Sequence, residues 1–196
     1  IPVHTAWDLG VRDDTAIWFF QVAFGQIYIL DYHVASGNGV EHYRDVIAQK
    51  MAENHWIKGK DFVPHDARVK EWGTGRTRVE TMQSLGLKPH VVPQASLMDG
   101  INAVRQTLPR CVFHSNCEIG DMSGIDALEQ YQREYDDEKK IFKTQPLHNW
   151  CSHGADAFRY LSLAWKEARN DTPLPDKPKS GIVTADYVIA PALPGQ

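Results

Sequence analysis

Residues 3–9, VHTAWDL, alternate strictly, with Val3, Thr5 and Trp7 on one face of an extended segment and His4, Ala6 and Asp8 on the other. A strand is predicted there, ending near Asp8. Gly10 to Asp14 interrupts it as a turn. The next run, TAIWFFQVA (15–23), is apolar on both faces and rich in aromatic and β-branched residues, the signature of a central strand buried on both sides. Phe24-Gly25-Gln26 is a short loop of the kind that closes hairpins, and QIYILDYHV (26–34) returns as a third strand. The chain therefore opens as a three-stranded antiparallel meander.

After Gly37-Asn38-Gly39 the period changes. In residues 40–54, Tyr43, Val46, Ile47 and Met51 recur at helical spacing. DFVPHDA (61–67) is expected to be a strand ending at Asp66, with the donor side at Pro64 free or distorted. His65, on the opposite strand face from Asp66, is expected to pack in the core or at the surface rather than ligate. A helix over 77–85, a short strand at 88–93, a helix over 97–108, a strand at 111–113 and helices at about 123–135 and 152–168 complete the pattern. A hairpin meander followed by βα alternation predicts an α/β fold: a mixed sheet, antiparallel and then parallel, flanked by helices. Five of the 11 prolines (173, 175, 178, 191 and 194) follow residue 170. The expected division is a domain over 1–170 and a Pro-rich tail over 171–196.

Composition narrows the function. With 196 residues, 42% hydrophobic and 23% charged, the chain suits one globular domain. No run approaches the ~20 apolar residues of a membrane helix, and residues 1–10 lack the regions of a signal peptide. Lys+Arg 21 against Asp+Glu 25 gives a net charge of −4, so any polyanion partner must be held locally or through metal ions. Cys111, Cys117 and Cys151 fit neither a disulfide framework nor a zinc site, which points to a reducing compartment and to inert or buried thiols. The start at Ile1 rather than Met suggests a fragment or a processed product.

Three aspartates stand where this organisation places chemistry. Asp8 ends the first strand, Asp66 the fourth, and Asp156 lies in the last helix, with Asp14 close behind Asp8. Functional groups gather beyond the carboxyl ends of strands in α/β sheets, so Asp8 and Asp66 become neighbours if their strands are adjacent and parallel. His153, three residues before Asp156, shares its helix face and is a further candidate to touch metal or water in the site. Clustered carboxylates repel one another and persist with cations between them, and hard oxygen donors favour Mg2+ or Mn2+. Two such ions about 3.5–4 Å apart suit phosphodiester hydrolysis. Each residue also has a plainer explanation: Asp8 and Asp14 as turn residues, His153 as a polar residue at a helix start.

WDLGVRDDTA (7–16), VPHDA (63–67) and HGADAFRYL (153–161), in that order and on those element types, resemble the nuclease domain of the large terminase subunit of tailed bacteriophages. The resemblance covers roughly residues 1–169. It implies a ribonuclease H-like fold, three metal-binding acidic residues at Asp8, Asp66 and Asp156, and an auxiliary acidic position at Asp14. It further implies a two-ion endonuclease, with Asp8 and Asp66 sharing one ion and Asp8 and Asp156 the other, that cuts double-stranded concatemeric DNA in the cytoplasm of an infected bacterial host. Its implied partners are an ATPase motor, the small terminase subunit and the portal. Gly73-Thr74-Gly75-Arg76 lacks the Lys of a phosphate-binding P-loop, so the nuclease part alone is expected.

Two charged segments bear on DNA. RVKEWGTGRTR (68–78) carries Arg68, Lys70, Arg76 and Arg78 against Glu71 alone, includes Trp72, and follows Asp66 directly, which makes it a candidate phosphate-contacting loop. DDEKKIFK (136–143) is a second polar loop, with Lys139, Lys140 and Lys143. Both segments also fit a solvated surface run. Alternatives of the same fold are a Holliday-junction resolvase and a transposase-like enzyme. Those of another class are an actin-like nucleotide-binding domain, which needs a second half, and a non-catalytic DNA-binding scaffold.

Overall fold

The computed structural model describes residues 1–10 and 13–168. The chain forms β1 (Val3–Asp8), β2 (Thr15–Ala23), β3 (Gln26–Ala35), α1 (Val40–Glu53), β4 (Lys58–Val63), α2 (Arg78–Ser84), β5 (Pro89–Val91), α3 (Leu97–Thr107), β6 (Cys111–Phe113), α4 (Gly124–Glu129), β7 (Arg133–Asp136), β8 (Ile141–Pro146) and α5 (Trp150–Ala164). Short 3-10 turns cover His65–Arg68, Leu108–Arg110, Ser115–Glu118 and Trp165–Ala168.

Six strands form one sheet in the order β5-β4-β1-β2-β3-β6. The β1-β2-β3 meander is antiparallel, whereas β4 joins β1, β5 joins β4 and β6 joins β3 in parallel. This is the mixed sheet that the hydrophobic pattern predicts. Every residue of β2 is buried, because apolar layers cover both sheet faces. Ala6, Trp18, Phe20 and Phe62 pack against Phe158 and Leu161 of α5 on one face. On the other, Val3, Trp7, Ile17, Phe19 and Val63 meet Tyr43, Ile47 and Met51 of α1 and Met82 of α2. The alternation of β1 thus assigns its faces: Trp7 looks toward α1, and the face of His4, Ala6 and Asp8 looks toward α5.

Three expectations change. β4 ends at Val63, and His65 and Asp66 lie on an exposed 3-10 turn beyond it; Pro64 has no N–H with which to continue the strand's hydrogen bonding. His65 accordingly does not pack in the core. The helix expected at 123–135 stops at Glu129. Residues 133–146 instead form the β7–β8 hairpin, in place of the polar loop expected at 136–143. Its turn is closed by the Asp136 carboxylate, which accepts the Glu138 and Lys139 N–H groups at 3.1 and 3.0 Å, and by Lys140 at φ 53°. The expected Pro-rich tail lies outside the described residues.

Cys111 is half-buried and Cys117 and Cys151 are buried, all with free thiols. Burial pushes the Cys111 and Cys117 thiols up to about 12, which leaves them protonated and unreactive at neutral pH. Among the described residues no helix is long and apolar enough to cross a membrane.

Candidate active site

The site forms where the C-terminal end of β1 meets the first half of α5. Asn149 caps that helix, accepting the Cys151 N–H at 3.1 Å, and Ser152 Oγ accepts the Asn149 N–H at 3.0 Å. Trp18 Nε1 on β2 donates to the Gly154 carbonyl at 2.8 Å and so pins the helix to the sheet. Gly154 permits the approach: a Cβ there would stand 2.8 Å from both Ala127 Cβ and Tyr32 Oη. With the helix held this closely, His153 reaches Asp8, and Asp156 follows one turn later on the same helix.

His153 Nδ1–H donates to Asp8 Oδ2 at 3.1 Å, and the two side chains are 11% and 21% exposed. This bond raises the His153 pKa above its ordinary value, against burial, with help from the charges of Asp8, Asp14 and Asp13. Asp156 is moved the other way for a carboxylate, from 3.8 up to about 6. Burial is the main cause; Arg159 opposes the shift, and the negative charge of Asp8 adds to it. Arg159 Nη1 lies 3.0 Å from Asp156 Oδ1, one helical turn away. Its own position is set by α3, where a Cβ on Gly100 would come within 2.3 Å of Arg159 Cδ. Burial also raises the Tyr32 phenol, and the charges of Asp14 and Asp8 add to that.

β1 and β4 are adjacent and parallel, the condition on which Asp8 and Asp66 become neighbours. The register Ala6↔Phe62 carries Asp8 opposite Pro64, and Asp66 follows two residues later on its exposed turn. The oxygens of Asp8, Asp66 and Asp156 do not all come within 4.8 Å of one another. The structure therefore pairs His153 with Asp8 and Asp156 with Arg159, and places Asp66 on an exposed turn.

The basic segment is a closed turn. Lys70 bridges to Thr77, the Glu71 N–H donates to the Arg76 carbonyl at 2.9 Å, and Gly75 adopts φ 66°. Arg68, Lys70 and Arg76 are exposed, as is Trp72 at the tip. Arg78 differs. Its guanidinium donates to the Leu9 carbonyl at 3.2 Å and to Glu71 Oε1 at 3.3 Å, tying this turn to the residue after Asp8. On the β7–β8 hairpin, Lys143 pairs with Glu134 at 2.5 Å, Lys140 stands 3.9 Å from Asp137, and Lys139 is exposed at the tip.

Sequence reasoning passes over Arg159, Gly154, Tyr32 and Trp18. Arg159 had a signal, a cation three residues after an aspartate on a helix. The other three had none, because their roles depend on which helix lands on which strand.

No family model and no curated protein matches this sequence. In three dimensions the chain is similar to the nuclease domain of the bacteriophage P22 large terminase, with TM-score 0.61 and 18% identity, covering 86% of this chain and 87% of that one. It is similar too to the nuclease domain of the SPP1 large terminase g2p, solved with bound Mn, with TM-score 0.55, 12% identity and coverage of 85% and 87%. The large terminase of a thermophilic bacteriophage, in complex with ADP, gives TM-score 0.62 and 16% identity over 83% of this chain; the match spans 39% of that protein's length. The fold is thus a ribonuclease H-like α/β sheet flanked by helices. Its form is similar to that of the large-terminase nuclease domains.

Proposed function

We propose that this chain is a metal-dependent endonuclease of double-stranded DNA that cuts concatemeric viral genomes during packaging in the infected host. The observation that supports this best is the coupling of Asp8 on β1 to Asp156 on α5, with the Asp156 pKa raised to about 6 by burial and, in part, by Asp8. A carboxylate whose ionisation is opposed by burial and by the negative charge of Asp8 fits a divalent cation, because a bound cation turns the repulsion into ligation. Asp8 and Asp156 would hold one ion and Asp8 and Asp66 the other, with Asp14 in support; all-oxygen donors suit Mg2+ or Mn2+. Such ions supply Lewis acidity at the phosphorus and lower the pKa of an attacking water.

The protein's own part is positional. Asp66, on its exposed turn, completes the set when DNA and ions arrive. Arg159 offsets the Asp156 charge until then. His153 holds Asp8 Oδ2 by its hydrogen bond until the ions arrive. Arg68, Lys70 and Arg76 grip backbone phosphates without reading bases, and Lys139, Lys140 and Lys143 extend the path. A net charge of −4 makes that grip weak, which suits an enzyme relying on an ATPase motor, a small terminase subunit and a portal to hold its substrate.

Plasmid nicking tests the proposal. Cleavage is expected with Mg2+ or Mn2+ and not with Ca2+, whose looser and longer coordination does not hold the reacting groups in line. Cleavage in excess EDTA would exclude the reading.

A further inference from the structure

A second group of metal-competent side chains includes His153. Among the described residues, ligand atoms of Asp13, His148 and His153 all fall within 4.8 Å of one another. His148 Nε2 stands 4.0 Å from Asp13 Oδ2, and the two imidazole rings are 5.6 Å apart at 75°. We propose that these three residues form a binding site for a nitrogen-preferring divalent ion, Zn2+ above all, distinct from the carboxylates assigned to the cleavage ions, and that its occupancy arrests cleavage.

The donor chemistry separates the two sites. Two imidazoles and one carboxylate suit Zn2+, whereas Mg2+ keeps to oxygen donors and its own water. The orientation of His153 is already set. Its Nδ1–H is held by Asp8 Oδ2 at 3.1 Å, which leaves Nε2 to face a metal; a carboxylate that fixes the tautomer of a ligating histidine is a common support of zinc sites. A tetrahedral zinc with bonds of about 2.0–2.1 Å needs its ligands about 3.3 Å apart, so the donors must close in slightly. They have the freedom: the His148 and Asp13 side chains are 74% and 65% exposed, and only His153 is fixed, at 11%. Three protein donors leave the fourth position to solvent.

The consequence for cleavage follows from the shared residue. A metal on Nε2 anchors the imidazole, and its Nδ1–H then keeps Asp8 Oδ2 engaged. Asp8 is thereby held back from the ions it would share with Asp66 and Asp156. This arrest rests on the nuclease reading, while the binding itself does not.

The test is calorimetric titration of the full chain with ZnCl2 in excess Mg2+, which occupies the oxygen sites. One Zn2+ per chain is expected. His148→Ala and, separately, Asp13→Asn should each weaken binding by roughly tenfold or more while leaving the melting temperature of the metal-free protein unchanged, since both residues are exposed. In the nicking assay, Zn2+ should inhibit the wild type, and His148→Ala should tolerate roughly tenfold more Zn2+ while cutting normally in Mg2+ alone. No Zn2+ binding in excess Mg2+, or unchanged affinity in both variants, overturns the site. Tight Zn2+ binding with undiminished nicking overturns the arrest. Should the wild type fail to cut DNA in Mg2+ or Mn2+, the nuclease reading fails, and the titration still decides the site.

Discussion

Two regions of the molecule are built differently. In one, Asp8, His153 and Asp156 stand on a strand and a helix locked together by Trp18, Gly154 and the Phe158–Leu161 layer, with His153 buried and Asp8 and Asp156 partly so. In the other, Arg68, Lys70 and Arg76 sit on a closed turn, and Lys139 and Lys140 on a hairpin tip, in open solvent. Groups that must be placed to a fraction of an ångström belong on rigid elements; groups that need only present charge to a polymer do not. Arg78 joins the two, since it belongs to the basic segment and yet donates to the Leu9 carbonyl beside Asp8.

The contrast predicts effects of graded size. Asp8→Asn and Asp156→Asn should each lower cleavage by roughly a thousandfold or more, the several kcal/mol expected of a metal ligand, while circular dichroism shows the fold retained. Equal losses from substitutions in the two regions would erase the distinction.

Packing gives the next effect. Gly154→Val meets Ala127 and Tyr32 at 2.8 Å and should cost about 1–3 kcal/mol in urea unfolding. Gly73→Ala, on the basic turn with nothing within 4 Å of the added Cβ, should change stability by less than about 0.5 kcal/mol.

The third effect is pH-dependent. Because Asp156 titrates near 6 in the folded, metal-free protein rather than 3.8, the native state binds the extra proton between those values. Its contribution to stability is present below pH 3.8 and is lost as pH rises through about 6. Metal-free Asp156→Asn should therefore be more stable than wild type at pH 8, by about 1–2 kcal/mol after allowance for the partial exposure of the side chain, and the gain should vanish toward pH 4. Thermal melts across that range measure it. For His153 the shift is opposite in origin: its pKa is raised by Asp8, so the stability it adds is present at low pH and lost as pH rises through its folded value.

The smallest effects belong to the open region. Lys70→Ala with Arg76→Ala should lower cleavage several-fold, equally across sequences, and reduce the salt slope by about 1 per lost phosphate contact. Lys139→Ala with Lys140→Ala should do less. A double variant at 70 and 76 that matches wild type at every salt concentration would move the DNA path to the hairpin.

Much of this layout is legible in the sequence. Strict alternation in residues 3–9 places Asp8 on the face that meets α5, and the two-sided apolar run places β2 at the sheet's centre. Helical spacing puts His153 and Asp156 together. The end of β4 is not legible in the same way, because DFVPHDA is uniformly extended in character and only the missing N–H of Pro64 marks the stop. The hairpin escapes because its strands, REYD and IFKTQP, are short and mostly exposed, with no apolar alternation to betray them. Charge runs report on solvation and leave backbone pairing undetermined. Asp66 shows the remaining limit: the β1–β4 pairing directs it toward the end of β1, and its final position depends on a turn.

The central claim is that Asp8, Asp66 and Asp156 together hold divalent ions, and anomalous scattering from a crystal soaked in Mn2+ tests it most directly. Two strong peaks are expected, one between Asp8 and Asp156 and one between Asp8 and Asp66, with the Asp66 turn drawn inward. Mn2+ peaks elsewhere, with none beside Asp8, would contradict the account.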